Sequence, residues 1–372
     1  MTEPVEVTLS SGHPVILSSG QKSAMKITDI KAIYPKYKQP LAGWRPHLWQ
    51  IVVRVESDTG VVGYGYGGGG EAALPIINGH WRDLLIGKEI NAIGDIAVIW
   101  DALYRASLPY GRKGVAIMAL SGVDLALWDL LGRAEGMPVS ALLGGHDREQ
   151  VRAYATGTDS QWYAELGFTA HKLPVRWQNE SDYDATAHLM AQTRALFGLD
   201  ALLMLDCYMT WDADATRQMA AHLAPYNVYW FEDVATPDHL SAQAALRADI
   251  RPVLLAGGEH EFTHHGFREI AQANALDIWQ PDITWCGGIT AGLRIVDLAQ
   301  QVGAQVIPHR GGEVWGLHLI AATGCVDLAE VLPGTRHAQP DPLWLDEPQA
   351  INGVITVPDA PGFGVRLNEE FV

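Results

Sequence analysis

From residue 172 onward, seven ionisable side chains recur at intervals of 21 to 34 residues: Lys172, Asp206, Glu232, Glu259, Asp282, His309 and Glu330. Four in a row are carboxylates, and the first three make one candidate set. Asp206, Glu232 and Glu259 brought together would repel one another and resist ionisation unless a cation lay among them. Oxygen donors with room for water and substrate suit one Mg2+, with Mn2+ as a possible substitute. The alternative is ion pairing to Lys172 or Arg176. The next two members, Asp282 and His309, make a carboxylate–imidazole pair in which the Asp would fix the ring tautomer and raise its basicity. A base facing a metal suits removal of a proton beside a carboxylate.

Two other motifs compete. His260-Glu261-Phe262-Thr263-His264 spells H-E-x-x-H, which binds zinc only when both His share one face of a helix. The preceding "RPVLLAGGE" reads as a strand entering a tight loop, which puts His260 in the loop and starts the helix near Thr263. The residue that matters is therefore Glu259, just before the match. Gly65-x-Gly67-x-x-Gly70 fits a dinucleotide fingerprint but follows a hairpin, with Pro75 just beyond, so it reads as a flexible glycine loop.

Each of the seven residues ends a short apolar run: "FTAHK", "LLMLD", "VYWFE", "PVLLAGGE", "LDIWQPD", "AQVIPH" and "VDLAE". Helix-like segments such as "YDATAHLMAQTRALFG" and "TAGLRIVDLAQQVG" separate them. This β-α alternation implies parallel strands with crossover helices, and seven or eight units imply a barrel. The strand C-termini of a barrel surround one mouth, so the spacing places the seven groups there. Residues 25–148 read differently. "IVVRVESDTGVVGYG" has two β-rich runs around a Ser57–Gly60 turn, and "GVAIMALSGVDLALWDLLGRAEG" has helical spacing stopped by Gly136 and Pro138.

The expected organisation is an N-terminal arm over 1–24, an α+β capping domain over 25–148, a barrel over 149–345 and a C-terminal segment over 346–372. The formal net charge of -17 argues against a nucleic-acid partner. Three cysteines are too few for a disulfide framework and suit a reducing cytoplasm. No apolar stretch approaches the roughly 20 residues that span a bilayer, and the N-terminus lacks a signal-peptide pattern.

At these residues the chain resembles the enolase superfamily, in its mandelate racemase group, and within it the L-rhamnonate dehydratases. The stretches that carry the resemblance are "VDLALWDLLGRAEGMPVSALLGG", "AYATG", "LMLDCYM", "WFED", "GEH", "IWQPDITWCGGIT", "VIPH" and "PGFGVRLN". The resemblance implies an α/β fold, a modified TIM barrel (β/α)7β under an α+β cap that the C-terminus completes. It implies Mg2+ on Asp206, Glu232 and Glu259, and a His309–Asp282 dyad acting as base and then acid. It implies a hydro-lyase of carbohydrate catabolism that removes the C2 proton of a sugar acid, expels the 3-hydroxyl as water and gives a 2-keto-3-deoxy acid by way of an enediolate. His260 and Glu330 match family residues at the substrate, and barrel relatives suggest a homo-oligomer.

Two departures stand out. Racemases of the group carry K-x-K, whose second Lys is an opposing base, whereas "HKLPV" has Pro174 there. Dehydration needs no second base, and Lys172 is left to contact the carboxylate or metal region. The stretch "HRGGEVWGLH" is about one residue longer than the pattern, which makes Arg310 and Glu313 candidates for specificity. The loop "YKQPLAGWRPHLW" offers Arg45 and His47 as substrate contacts, and Arg176 is a further candidate contact. L-Rhamnonate and L-lyxonate are the leading substrates, since one extra carbon in an apolar pocket is worth only about 1–3 kcal/mol. An isomerase or cycloisomerase using the same enolate, and a non-catalytic sugar-acid-binding protein, are the alternatives.

Overall fold

β-Rich runs on either side of Ser57-Asp58-Thr59-Gly60 fold back as a hairpin, closed by bonds from Ser57 N and Oγ to the Val61 carbonyl. Four strands, β1 (Met25–Ile33), β2 (Ile51–Ser57), β3 (Val62–Gly67) and β4 (Glu89–Ile90), form an antiparallel sheet in the order β3-β2-β1-β4. Short helices α1 (Arg45–Leu48), α2 (Gly70–Pro75) and α3 (Arg82–Leu85) lie along it, followed by α4 (Ile93–Ser107), α5 (Val115–Glu135) and α6 (Val139–Leu142). This computed structural model describes residues 24–37, 41–145, 148–337 and 342–372. All but the last residue of the expected N-terminal arm lies outside them.

α5 is the axle of the cap. It is long and apolar enough to cross a bilayer, contrary to the expectation that no stretch would be, but 89% of its most apolar window is buried inside the protein. Glycines let β3 lie against it at backbone distance. A Cβ on Gly65 would stand 2.1 Å from the Gly122 carbonyl oxygen. Gly65 and Gly67 are therefore packed strand residues rather than the flexible loop expected. The helix stops where Gly136 enters the left-handed region at φ +68°.

Eight parallel strands follow. They are β5 (Gln150–Thr156), β6 (Ala170–Pro174), β7 (Leu202–Asp206), β8 (Trp230–Glu232), β9 (Leu254–Gly257), β10 (Ile278–Trp279), β11 (Gln305–Val306) and β12 (Ala329–Val331). Between them run α7 (Ser160–Glu165), α8 (Ser181–Phe197), α9 (Ala213–Leu223), α10 (Leu240–Asp249), α11 (Thr263–Ala273), α12 (Gly288–Val302) and α13 (Val314–Ala322). The sheet order β11-β10-β9-β8-β7-β6-β5-β12 is curled. Its ends meet through Val326 N to Val306 O at 3.0 Å and Gly312 N to Glu330 O at 2.7 Å. Eight strands and seven helices make the (β/α)7β barrel.

Inside the barrel, Tyr154, Ala170, Met204, Trp230, Ala256, Ile278, Ile307 and Leu328 form one buried cluster, one residue from each strand or its edge. Side chains two positions on share the same face of a strand. The next layer toward the strand C-termini is therefore Thr156, Lys172, Asp206, Glu232, Gly258, Gln280, His309 and Glu330. An apolar plug thus supports a polar layer.

The C-terminal segment returns to the cap. β13 (Trp344–Leu345), β14 (Val354–Thr356) and β15 (Arg366–Leu367) follow the barrel, with β14 antiparallel to β5 and β15 paired with β13. Phe363 N donates to Asp129 Oδ1 of α5 at 2.9 Å, and Arg133 donates to the Val365 carbonyl at 2.9 Å. Lys36 N, just after β1, donates to the Phe371 carbonyl at 2.7 Å.

Candidate active site

Lys172 sits in the middle of β6, not at its end, and is 1% exposed. Its ammonium stands over the Tyr154 ring and pairs with Glu232, and with Glu330 at 2.8 Å. Both carboxylates are 1% exposed, and a charge so buried needs a paired cation. Glu330 is held low, at about 2: burial works against ionisation, but Lys172, His309 and the Arg310 backbone N–H outweigh it. Thr156 donates at 2.6 Å to Glu330 Oε1, the oxygen that also pairs with Lys172, while Oε2 accepts from Arg310 N. Glu330, expected at the substrate, is thus fixed between Lys172 and the neighbourhood of His309, whose Nε2 is 3.9 Å away.

Asp206 and Glu232 end adjacent strands and are register partners. Glu259 follows β9 by two residues, after Gly258 at φ +114° turns the chain out of strand register. Burial first, then neighbouring carboxylates, raise Asp206, raise Glu232 to about 7 and raise Asp233 well above its usual range, with Lys172 opposing in each case. Among the described residues, the one group of three whose ligand atoms all lie within 4.8 Å of one another is Asp233, Glu259 and His260. Sequence reasoning missed Asp233, which only follows Glu232 in the text. Glu232 turns toward Lys172, Trp230 Nε1 at 3.1 Å and Gln280 Nε2 at 2.6 Å, so the expected triple Asp206–Glu232–Glu259 forms a wider ring. A crowd of oxygen donors with one ammonium among them is the electrostatic condition that a hard divalent cation satisfies. The donor set therefore fits Mg2+.

Opposite this ring, His309 Nδ1 and Asp282 Oδ2 are 2.9 Å apart. Asp282 is buried, and its other oxygen accepts from Thr284 N and Thr284 Oγ1, each at 2.7 Å. Burial would push Asp282 up, but the His309 bond and Arg310 hold it below its usual value. Burial opposes charge on His309, while Glu259, the Asp282 bond and Glu330 outweigh it and raise the imidazole to about 10. Nε2 lies 3.2 Å from Glu259, so the free face of the ring looks at the carboxylate ring. Trp285 lies beside it, with ring centroids 5.8 Å apart.

The remaining expected contacts are dispersed around the rim. His260 stacks on Trp285, and its Nε2 lies 3.3 Å from Glu259 and 3.8 Å from Asp233. Arg45 is exposed and lies over Trp49, which packs edge-on against Trp285. His47 is exposed and no closer than 4.0 Å to Glu71. Arg176 is exposed over Tyr208, whose backbone N–H bonds Asp206. Arg310 is buried, bonded to Glu313, 3.7 Å from Asp282, and over the rings of Trp49 and Tyr66. It joins the base to the cap, as its place beside His309 allowed.

The H-E-x-x-H match dissolves in the fold. α11 begins at Thr263, so His260 and Glu261 precede it. Glu261 turns to Lys113 of the cap, while His264 packs beside Trp100. The two His face different partners.

Two family models cover the chain. Residues 47–144 match the mandelate racemase / muconate lactonizing enzyme N-terminal domain, and residues 157–371 match the enolase C-terminal domain-like family. A protein named "Putative L-rhamnonate dehydratase" from Caldivirga maquilingensis is 38% identical over 350 residues, 92% of this chain and 87% of that protein. The crystal structure of L-rhamnonate dehydratase from Gibberella zeae superposes with a TM-score of 0.85 at 28% identity, over 95% of this chain and 97% of that one. A further structure of that enzyme is complexed with Mg. The 3,6-anhydro-D-galactonate cycloisomerase from Zobellia galactanivorans superposes at 0.81 and 28% identity, over 93% and 97%. A cap sheet, a (β/α)7β barrel and the two family matches lead to one conclusion: the chain belongs to the enolase superfamily, in the mandelate racemase group.

Proposed function

We propose that the protein is a Mg2+-dependent acid-sugar dehydratase that converts an aldonate of the L-rhamnonate or L-lyxonate type to its 2-keto-3-deoxy acid. The observation that carries this reading is the His309–Asp282 pair, with its second nitrogen facing a ring of carboxylates. Asp206, Glu232 and Glu259 would hold the cation, with Asp233 and His260 close by. When bound, Mg2+ offsets the negative charge that builds on the substrate carboxylate as C2 loses its proton.

The chain's own groups do the proton work. Asp282 accepts from His309 Nδ1–H; a cation held by Glu259 would offset the charge that keeps the ring protonated, and in the neutral ring the Nε2 lone pair is free to take the C2 proton. The C2–H electron pair becomes the C1–C2 double bond of the enediolate. It then forms the C2–C3 double bond as the C3–O bond breaks, and His309 returns its proton to the departing hydroxyl. The enol left behind tautomerises to the 2-keto-3-deoxy acid. Pro174 stands where racemases place a second base, and Lys172 is committed to Glu232 and Glu330. One base on one face supports elimination rather than racemisation. The indoles of Trp44, Trp49 and Trp285, packed edge to face, supply an apolar wall for the distal carbons.

A one-base site also suits intramolecular ring opening, and the fold neighbour that is named a cycloisomerase favours this as the second reading. A panel of acid sugars assayed colorimetrically for 2-keto-3-deoxy acids separates the possibilities. Dehydration gives the chromophore. A cycloisomerase gives product without it, and a binding protein gives only ligand-dependent melting shifts.

A further inference from the structure

Gln50 is the residue before β2, the central hairpin strand of the cap, and it is fully buried. Its side chain crosses into the barrel. Trp285 Nε1 donates to Gln50 Oε1 at 2.7 Å, and Gln50 Nε2 donates to Thr284 Oγ1 at 2.8 Å. An indole nitrogen only donates, so it fixes which end of the amide faces it. The amide N–H therefore faces Thr284, whose oxygen accepts it. The one hydroxyl proton of Thr284 is then committed to Asp282 Oδ1, 2.7 Å away. Asp282 Oδ2 in turn takes His309 Nδ1–H. Every donor in this chain, from the indole to the imidazole, has its direction set.

We infer that Gln50 is a positioning residue, through which docking of the cap orients the Asp282–His309 dyad. Other contacts are built around it. Tyr37 Oη donates to the Gln50 carbonyl at 2.8 Å, which ties the same residue to the cap. Gly68 leaves the space that the contact needs, because a Cβ there would stand 2.9 Å from Trp285 Nε1 and 3.2 Å from Gln50 Oε1. Trp285 also lies against the His309 and His260 rings, so the residue that orients the amide also packs the base. A cap out of place would leave Thr284 free to turn its proton elsewhere and Asp282 free to rotate.

This inference rests on the dyad being the base, and its test separates the two ideas. Gln50→Leu removes both side-chain bonds. Gln50→Glu keeps the shape but offers Thr284 no proton, so the Thr284 hydroxyl turns toward the new carboxylate and away from Asp282. Both variants should lower kcat by roughly 10–100-fold, as loss of an outer partner of a catalytic group typically does, with KM for the acid sugar nearly unchanged. Thr284→Ala should match them, and Thr284→Ser should restore most of the loss. Independently of any substrate, 15N-histidine NMR of the full chain should show a hydrogen-bonded Nδ1–H signal that His309→Asn removes. That signal should shift or broaden in Gln50→Glu. An unchanged kcat and an unchanged signal in folded Gln50→Glu overturn the inference. So does a lowered melting temperature with normal kcat, since that marks a merely structural amide. If the wild type turns over no acid sugar, the proposed function fails, while the NMR comparison still decides whether Gln50 orients the dyad.

Discussion

His309 divides its two nitrogens between structure and chemistry. Nδ1 is spent on Asp282, and Nε2 faces Glu259. Replacing the ring with an amide keeps a donor toward Asp282 but removes the proton acceptor. His309→Asn should abolish turnover while circular dichroism and the Mg2+-dependent rise in melting temperature stay as in the wild type; near-normal turnover would remove the dyad from the mechanism. Dialysis against EDTA should silence the enzyme, and Mg2+ should restore it. Recovery with Zn2+ alone would direct attention back to His260 and His264. The series from Lys172 to Glu330 was legible because a barrel gathers the C-terminal ends of its strands at one mouth, although Glu259 and Asp282 lie beyond the polar layer itself. Asp233, Gln280 and Thr284 were not. Each owes its part to a neighbour that the fold supplies: Asp233 to His260 and Glu259, Gln280 to Glu232, and Thr284 to Gln50, 234 positions away.

Among the elements, α5 and β3 depend on each other for the absence of side chains. Three strand glycines, Gly63, Gly65 and Gly67, face helix backbone at Ala126, Gly122 and Met118. Gly65→Ala would force a methyl to within 2.1 Å of the Gly122 carbonyl, and rigid backbone on both sides cannot yield cheaply. Urea unfolding should show a loss of about 1–3 kcal/mol or more, the range for overpacked cores. An unchanged midpoint would mean that the pair can separate without cost. The helix and the hairpin were legible from spacing and turn residues. The role of the glycines was not, because a run of small residues looks the same in a loose loop and in a tight crossing until the opposing surface is known. The same ambiguity explains the H-E-x-x-H match, whose meaning depended on where α11 begins.

At the scale of the whole molecule, burial sets the response to acid. His171 is fully buried between Ser160 Oγ at 2.9 Å and the Ala155 carbonyl at 2.8 Å. Burial lowers it to about 4 from 6.5, with the Ala155 bond opposing. The unfolded chain takes up its proton near 6.5 and the folded chain only near 4, so this contribution to stability is lost as pH falls between them. A gap of about 2.5 pH units is worth about 3 kcal/mol. Asp124, raised by burial to about 7, runs the other way, losing stability as pH rises, so the two effects are separated only by comparison. His171→Gln should flatten the fall in stability between pH 6.5 and 4 relative to the wild type, as read by urea midpoints at several pH values. Parallel curves for the two proteins would assign the acid response elsewhere. The barrel was legible at this scale from its repeat. The seam between cap and barrel was not, since it is made by residues such as Gln50 and Arg310 that no periodicity marks.

Asp129 receives Phe363 N from 234 positions further on, so α5 meets one of its last neighbours long after it is itself synthesised. At roughly 5–20 residues per second, translation alone separates the two by about 10–50 s. During that interval the half-built cap holds a buried aspartate with one donor still missing and an apolar helix without its full cover. A nascent chain stalled before residue 363 should therefore be the species that a chaperone or a protease meets, rather than one stalled after it.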